Sequence, residues 1–190
     1  MKILAIGTHF DDIEIGCGGT LLKYKDKGDE VVFAVLNSDE TMTGDPQLRL
    51  TEQQRVCAKI RTELVLLNKK DKDDYVVTIL DAVKADTIYI PYEKDHHQDH
   101  RKTFVLGMAV GRKKAINVLG YITPSSYDYC PNHFENIDLA RKMQLVSIHR
   151  SQVGRPTNIL KRTIVLNKFF GSMINQSAAE GFHIYRTINV

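Results

Sequence analysis

GTHFDDIEIGCGG, Gly7 to Gly19, follows a short apolar run, Lys2–Ile6, and its reading decides the fold. The run before it has the length and apolar continuity of a buried strand. His9 and the adjacent Asp11 and Asp12 stand where that strand ends, and Gly16–Lys27 has a helical pattern that stops at Gly28. The chain therefore opens as a strand that feeds a helix through a polar turn.

The same alternation continues. Glu30–Leu36 (EVVFAVL) is an apolar, β-branched run, as expected of a strand covered on both faces. Pro46–Ile60 is predicted helical, with Asp45 as N-cap before a proline at the first helical position. Strand patterns follow at Glu63–Leu67, Thr87–Ile90 and Ile116–Ile122, with helices at Tyr75–Lys84, Arg101–Lys113 and Ile137–Ile148. A further helix and a short end strand, His183–Arg186, close the chain. This order predicts an α/β fold: a single Rossmann-like domain, residues 1–190, with a mostly parallel, doubly wound sheet.

Bulk properties exclude several classes. A 43% hydrophobic, 26% charged chain of 190 residues is long enough to bury a core and ordinary for a soluble protein. A net charge of +3, without a basic stripe interleaved with aromatics, argues against nucleic acid. The pair Lys113-Lys114 and the run Lys69–Asp74 (KKDKDD) read as solvated turns. Cys17, Cys57 and Cys130 are widely spaced and odd in number, so no disulfide framework is expected and a reducing compartment is. No apolar run approaches a membrane span, and MKILAIG is too short for a signal-peptide core. A cytoplasmic protein is the expectation.

In open parallel sheets, ligands bind at the carboxyl ends of strands. Two polar clusters fall there: His9, Asp11 and Asp12, and DHHQDH, Asp95–His100, after TIYI. Together they offer imidazoles and carboxylates without thiolates, a donor set suited to zinc or another divalent first-row metal. Adjacent carboxylates can divide labour, one binding metal and the other facing water.

HFDDIEIGCGG resembles the HPDDxExGCGG signature of the LmbE/PIG-L-like N-deacetylases, and DHHQDH is similar to their HxDH motif. Weaker similarity extends to RLTEQQ (Arg49–Gln54), HRSQ (His149–Gln152) and SAAEGFHIYR near the end. The resemblance implies a Rossmann-like, zinc-dependent enzyme that removes acetyl or related acyl groups from glucosamine-containing small molecules. It implies His9, Asp12 and His100 as metal ligands and Asp11 as general base for the attacking water. His97 would stabilise the tetrahedral intermediate and protonate the leaving amine, with Asp99 orienting it. Arg49 is implied as a substrate contact. Relatives are often oligomeric, so a homo-oligomer is an expectation of the resemblance alone. Phe10 departs from the pattern, which has proline there.

Two other readings compete. The metallo-β-lactamase motif HxHxDH lacks its first histidine here, and that class needs a β-rich sandwich. The alternative function is a non-catalytic Rossmann-like nucleotide- or sugar-binding module. Gly16, Gly18 and Gly19 invite it, yet they form no GxGxxG and lie past the first turn. Those glycines are expected to let the first helix pack close to the sheet. The loops Asn37–Asp45 and Tyr121–Glu135 are expected to border the pocket. Tyr121, Tyr127, Tyr129, His133 and Phe134 are candidates for sugar stacking.

Overall fold

The computed structural model describes residues 1–42, 44–110, 112 and 116–188. The pair Lys113-Lys114, expected as a solvated turn, lies outside the described residues. In chain order the elements are β1 (Lys2–Gly7), α1 (Asp12–Asp26), β2 (Glu30–Val35), α2 (Pro46–Ile60), β3 (Glu63–Leu66), α3 (Asp73–Ala82), β4 (Thr87–Pro91), α4 (Gln98–Ala109), β5 (Asn117–Tyr121), β6 (His133–Asn136), α5 (Leu139–Val146), α6 (Arg150–Val153), α7 (Ile159–Met173) and β7 (Ala179–Arg186). They form the expected α/β domain around one seven-stranded sheet of order β3-β2-β1-β4-β5-β7-β6.

The first five strands are parallel, and β7 pairs antiparallel with both β5 and β6. Strand alternation divides the core into two layers. Ile3, Ala5, Val31 and Phe33 face α1, α2 and α5, where they meet Ile13, Cys17, Val56 and Leu145. Leu4, Ile6, Val32 and Ala34 face α3 and α4, where they meet Val76, Leu80 and Leu106. Burial on both sides explains why β1 and β2 read as continuous apolar runs. The chain order reverses between β1 and β4, so a crevice opens at their carboxyl ends.

Several boundaries moved for identifiable reasons. The helix expected from Gly16 starts at Asp12, so its first turn carries Asp12 and Glu14 beside the positive end of the helix dipole. The stretch Tyr121–Glu135, expected as a loop, contains the start of β6. His133 and Phe134 therefore lie in a strand paired to β7. The helix over Ile137–Ile148 shortens to α5, with Asp138 as N-cap accepting from Arg141 N at 3.0 Å. The bounds of α2 match the expectation, and Asp45 caps it by accepting from Gln47 N at 2.9 Å.

Two of the three glycines in α1 are there for packing. A Cβ at Gly16 would lie 2.0 Å from Tyr121 Cδ2, and one at Gly19 would come within 2.8 Å of Ile137. Gly18 has ordinary space around it, its nearest neighbour being Glu14 Cβ at 3.7 Å. Tyr121, a candidate for sugar stacking, is instead fully buried beneath α1, and its hydroxyl donates to Ile6 O at 2.8 Å. Tyr129 is likewise tied down, its hydroxyl donating to the Gly120 and Gly181 carbonyls.

A buried ion pair fastens the last strand to α1. Lys142 and Glu180 are both fully buried and lie 2.7 Å apart. Glu180 accepts from Gly19 N and Thr20 N, each at 2.8 Å, while Lys142 donates to Ile15 O at 2.7 Å. These bonds satisfy the charges, which otherwise would make burial prohibitive. Cys17, Cys57 and Cys130 are free thiols. Among the described residues no helix is long and apolar enough to cross a membrane.

Gly16→Ala is expected to lower the unfolding free energy by about 1–3 kcal/mol through overpacking against Tyr121. Gly18→Ala is expected to raise it by up to about 1 kcal/mol through helix propensity. Urea denaturation of the two variants checks the contrast; equal effects would mean that close approach at Gly16 is not what holds α1 in place.

Candidate functional site

The crevice between β1 and β4 is built from three segments. The β1–α1 turn brings His9, Asp11 and Asp12; the start of α4 brings His97, Asp99 and His100; the loop after β5 brings Thr123, Ser125 and Ser126. His97 is the N-cap of α4, and His100 lies one turn further on, so the two rings stack with centroids 4.8 Å apart.

His9 Nδ1, Asp12 Oδ2 and His100 Nε2 form a compact triangle. The imidazole nitrogens are 3.3 Å apart, and Asp12 Oδ2 lies 3.3 Å from His100 Nε2 and 3.5 Å from His9 Nδ1. Donors about 2.0–2.1 Å from a tetrahedral zinc ion are about 3.3 Å from one another, so the spacing suits such an ion. Asp12 is fixed by the Thr8 and His9 backbone N–H groups at 3.2 and 2.8 Å. His100 is fixed by Asp95, whose Oδ2 lies 3.0 Å from Nδ1. A carboxylate at Nδ1 calls for a proton there and leaves Nε2 as the nitrogen that faces the triangle.

The triangle calls for positive charge. Burial opposes protonation of His100, but Asp12 and Asp95 outweigh it and push the pKa up to about 10. Burial likewise opposes ionisation of Asp12, but His100 and His9 hold its carboxyl well below the usual range. A divalent cation could take over this neutralising role, and the residues present fit one.

A second grouping, His9, His97 and Asp99, also brings ligand atoms within 4.8 Å of one another. It is less suited. His9 Nε2 and Asp99 Oδ2 are 4.0 Å apart, and the Lys69 ammonium already lies 2.7 Å from that oxygen.

Asp11 sits differently from Asp12. It occupies the N-cap position of α1 with φ at 104°, a left-handed conformation that non-glycine residues adopt at a cost. It is buried, and its nearest cation is Arg49, with Nη2 3.6 Å from Oδ1. Burial and the Asp12 charge push its pKa up to about 7.

The expected link from Asp99 to His97 runs through the backbone: Asp99 N donates to His97 Nδ1 at 3.2 Å. The Asp99 carboxylate instead accepts from Asn37 Nδ2 at 3.0 Å and Lys69 Nζ at 2.7 Å. Lys69, expected in a solvated turn, thus reaches the site. Burial and the nearby His100 and His9 lower the pKa of His97, favouring its neutral form. Arg49, implied as a substrate contact, is 3% exposed. Its guanidinium donates to Phe10 O at 2.6 Å and pairs with Glu40 at 2.9 Å.

Three further groups, each inside a motif singled out in the sequence, have partners that the sequence alone does not give. Asp95 is a buried hub, accepting from His97 N at 2.7 Å, Ser125 Oγ at 2.6 Å, Ser126 Oγ at 3.1 Å and Thr123 Oγ1. Its position inside DHHQDH was visible; its hydroxyl partners come from a distant loop. Glu14 is fully buried, accepting from Gln53 Nε2 at 2.7 Å and lying 3.4 Å from His149 Nε2. Burial lowers the pKa of His149, but Glu14 and Asp11 outweigh it and raise it. His149 of the motif HRSQ therefore backs the β1–α1 turn from within the core, where Glu14 favours its charged form. Of the stacking candidates, Tyr127 remains at the surface, its ring stacked on His96 with centroids 4.5 Å apart.

The family profile described as PIG-L: GlcNAc-PI de-N-acetylase matches residues 4–110, more than half of the chain and both motif-bearing turns. The chain belongs to the PIG-L family. The uncharacterized deacetylase YaiS of Escherichia coli (strain K12) is 30% identical over 152 residues, covering 71% of this chain and 81% of the relative. The diacetylchitobiose deacetylase of Thermococcus kodakarensis is 27% identical over 225 residues, covering 95% of this chain and 81% of the relative. Among solved structures, the conserved protein TT1542 of Thermus thermophilus superposes with a TM-score of 0.83 at 21% identity. It covers 99% of this chain and 96% of its own, so the two proteins share one fold over nearly their whole lengths.

The raised pKa of Asp11 has a thermodynamic consequence. Its folded pKa, about 7, exceeds the ordinary 3.8, so the folded protein retains a proton that the unfolded chain releases. The stability this contributes is complete below the ordinary value and is lost as pH rises through about 7. Asp11→Asn, which never ionises, should therefore gain stability relative to the parent, by about 2–4 kcal/mol, between pH 4 and pH 8. Urea denaturation of chelator-treated protein at both pH values measures it; a pH-independent difference would show that Asp11 ionises normally.

Proposed function

We propose that this chain is a zinc-dependent hydrolase that removes an N-acetyl or related N-acyl group from an amino-sugar-containing small molecule. The observation that carries the proposal is the triangle of His9, Asp12 and His100 with a second, separately held carboxylate, Asp11, on the same turn. The substrate class is supported by the family description, a GlcNAc-PI de-N-acetylase, and by the Thermococcus relative's name, a diacetylchitobiose deacetylase. We take residues 1–190 as the catalytic unit.

His9, Asp12 and His100 would hold the zinc, or another divalent first-row metal, which when bound polarises the acyl oxygen and makes water more acidic. Asp11 accepts the proton of the attacking water. A carboxyl near pKa 7 is matched to this task at neutral pH, since it is a stronger base than an ordinary aspartate and can also return the proton.

His97 accepts the Asp99 N–H at Nδ1, so its neutral ring carries hydrogen on Nε2 and is a donor for the oxyanion of the tetrahedral intermediate. A neutral imidazole is a poor acid, and we therefore route the proton for the leaving nitrogen through Asp11. That transfer is needed because an amide anion leaves poorly. Asp99, through its backbone, fixes the tautomer of His97.

Zinc-loaded protein is expected to release acetate from N-acetylated amino sugars or sugar nucleotides, and chelation to abolish the release. Asp11→Asn should keep its metal but lose activity by about 10²–10⁴-fold, whereas His100→Ala should lose the metal. Metal analysis and an acetate assay on each variant check both. Full activity in the Asp11 variant would sink the general-base role.

A further inference from the structure

Asp95 stands behind His100 and is fully buried, yet no lysine or arginine among the described residues pairs with its carboxylate. Arg101 donates Nη1 to the backbone carbonyls of Asp95 and His96, at 2.5 and 3.0 Å, and not to the side chain. Apart from His100, the donors that meet the carboxylate are neutral. Oδ1 accepts from His97 N at 2.7 Å and Ser125 Oγ at 2.6 Å. Oδ2 accepts from Thr123 Oγ1 and from Ser126 Oγ at 3.1 Å, and lies 3.0 Å from His100 Nδ1. A carboxylate has about four lone-pair sites, so these donors fill it.

Neutral donors fix a carboxylate in place without cancelling its charge, whereas an ammonium at the same distance would offset it. Asp99 shows the contrast: its carboxylate is paired with the Lys69 ammonium at 2.7 Å. The whole charge of Asp95 therefore acts on His100. A carboxylate on the far nitrogen of an imidazole strengthens the near nitrogen as a metal ligand.

The hydroxyls come from the loop after β5, which is docked by its backbone. His96 N donates to Ser125 O and Tyr127 N to Lys94 O, each at 3.1 Å. Thr123 N donates to Ser126 Oγ at 2.9 Å and so leaves the Ser126 proton free to point at Asp95. Removing one hydroxyl leaves these backbone bonds intact and changes what Asp95 meets.

We propose that Thr123, Ser125 and Ser126 are positioning residues that set how tightly His100 holds a metal, by fixing the Asp95 carboxylate against Nδ1 while leaving its charge whole. This rests on the reading of His100 as a metal ligand. The hydroxyls act through Asp95 and from the Nδ1 side of the ring, away from the metal triangle.

The test measures zinc affinity of the full-length protein by competition with a chromogenic chelator. Thr123→Val, which keeps the side-chain shape but has no hydroxyl, and Ser125→Ala are each expected to weaken zinc binding about tenfold. Thr123→Ser, which restores the hydroxyl, should stay within about twofold of the parent. In an Asp95→Asn background, Thr123→Val should cost less than about twofold, because the group it acts through is gone. The visible absorption of the cobalt(II)-loaded protein should change in Thr123→Val and not in Thr123→Ser.

Hydroxyls that only satisfy a buried carboxylate would give another result. Thr123→Val would then lower the unfolding free energy of chelator-treated protein and leave zinc affinity and the cobalt spectrum unchanged, which would overturn the proposal. An equal loss with and without the Asp95 carboxylate would overturn it too. If Thr123→Val does not fold, Ser125→Ala carries the comparison. His100→Ala separates the two readings. Loss of zinc there, with the hydroxyl variants binding like the parent, removes the positioning role alone; a parent that binds no divalent metal removes both.

Discussion

Three carboxylates, Asp11, Asp12 and Glu14, are buried within four residues of one turn. Placing that much negative charge out of water is costly unless each charge is paired or neutralised. The surrounding structure answers this constraint. His9 and His100 close on Asp12, His149 and Gln53 close on Glu14, and Arg49 stands off Asp11 at 3.6 Å. The partners differ, and so do the outcomes: Asp12 is held ionised, while Asp11 is pushed up to about 7. Two neighbouring residues of the same type acquire opposite protonation behaviour from their surroundings, the arrangement by which acid–base sites assign roles.

The sheet brings those partners in from far along the chain. The switch point between β1 and β4 sets His100 next to His9 across 91 residues. The same crevice receives Asn37 from the end of β2, Lys69 from the end of β3 and Thr123 from the end of β5. Each lies just beyond a parallel strand, where the carboxyl ends converge. On the α1 side, the close approach over Gly16 and the Lys142–Glu180 pair fix the helix whose first turn carries the carboxylates. Rigidity at the site is thus continuous with rigidity in the core.

What could be read from the sequence was what depends on local pattern. The apolar run of β1 and the proline and cap of α2 each carry their signal within a few residues. So do the paired polar clusters at strand ends. What could not be read depends on approach between distant segments. Nothing around Tyr121 distinguishes a ring that lies under α1 from one that lines a pocket; the difference is a missing Cβ at Gly16, more than a hundred residues away. Lys69 lies in a run that is polar like any turn, and only the parallel pairing of β3 with β2 carries it to Asp99. The start of β6 was hidden because its pairing with β7 is nonlocal and its residues, HFEN, are only half-buried.

Two of the three histidines of DHHQDH, His97 and His100, show how far residue type alone underdetermines chemistry. They are three positions apart, stacked, and of identical composition. At His100 the partner of Nδ1 is the Asp95 carboxylate, which can only accept, so Nδ1 must donate and Nε2 is the nitrogen whose lone pair a cation could take by displacing its proton. At His97 the partner of Nδ1 is the Asp99 N–H, which can only donate, so Nδ1 must accept and Nε2 carries the hydrogen. The side chain of Asp95 and the backbone of Asp99 thus give two equal rings opposite polarity on one helical turn. One becomes an electron-pair donor suited to a cation and the other a hydrogen-bond donor suited to an oxyanion. A hydrolytic site needs both, and here the difference between them lies in what each Nδ1 meets.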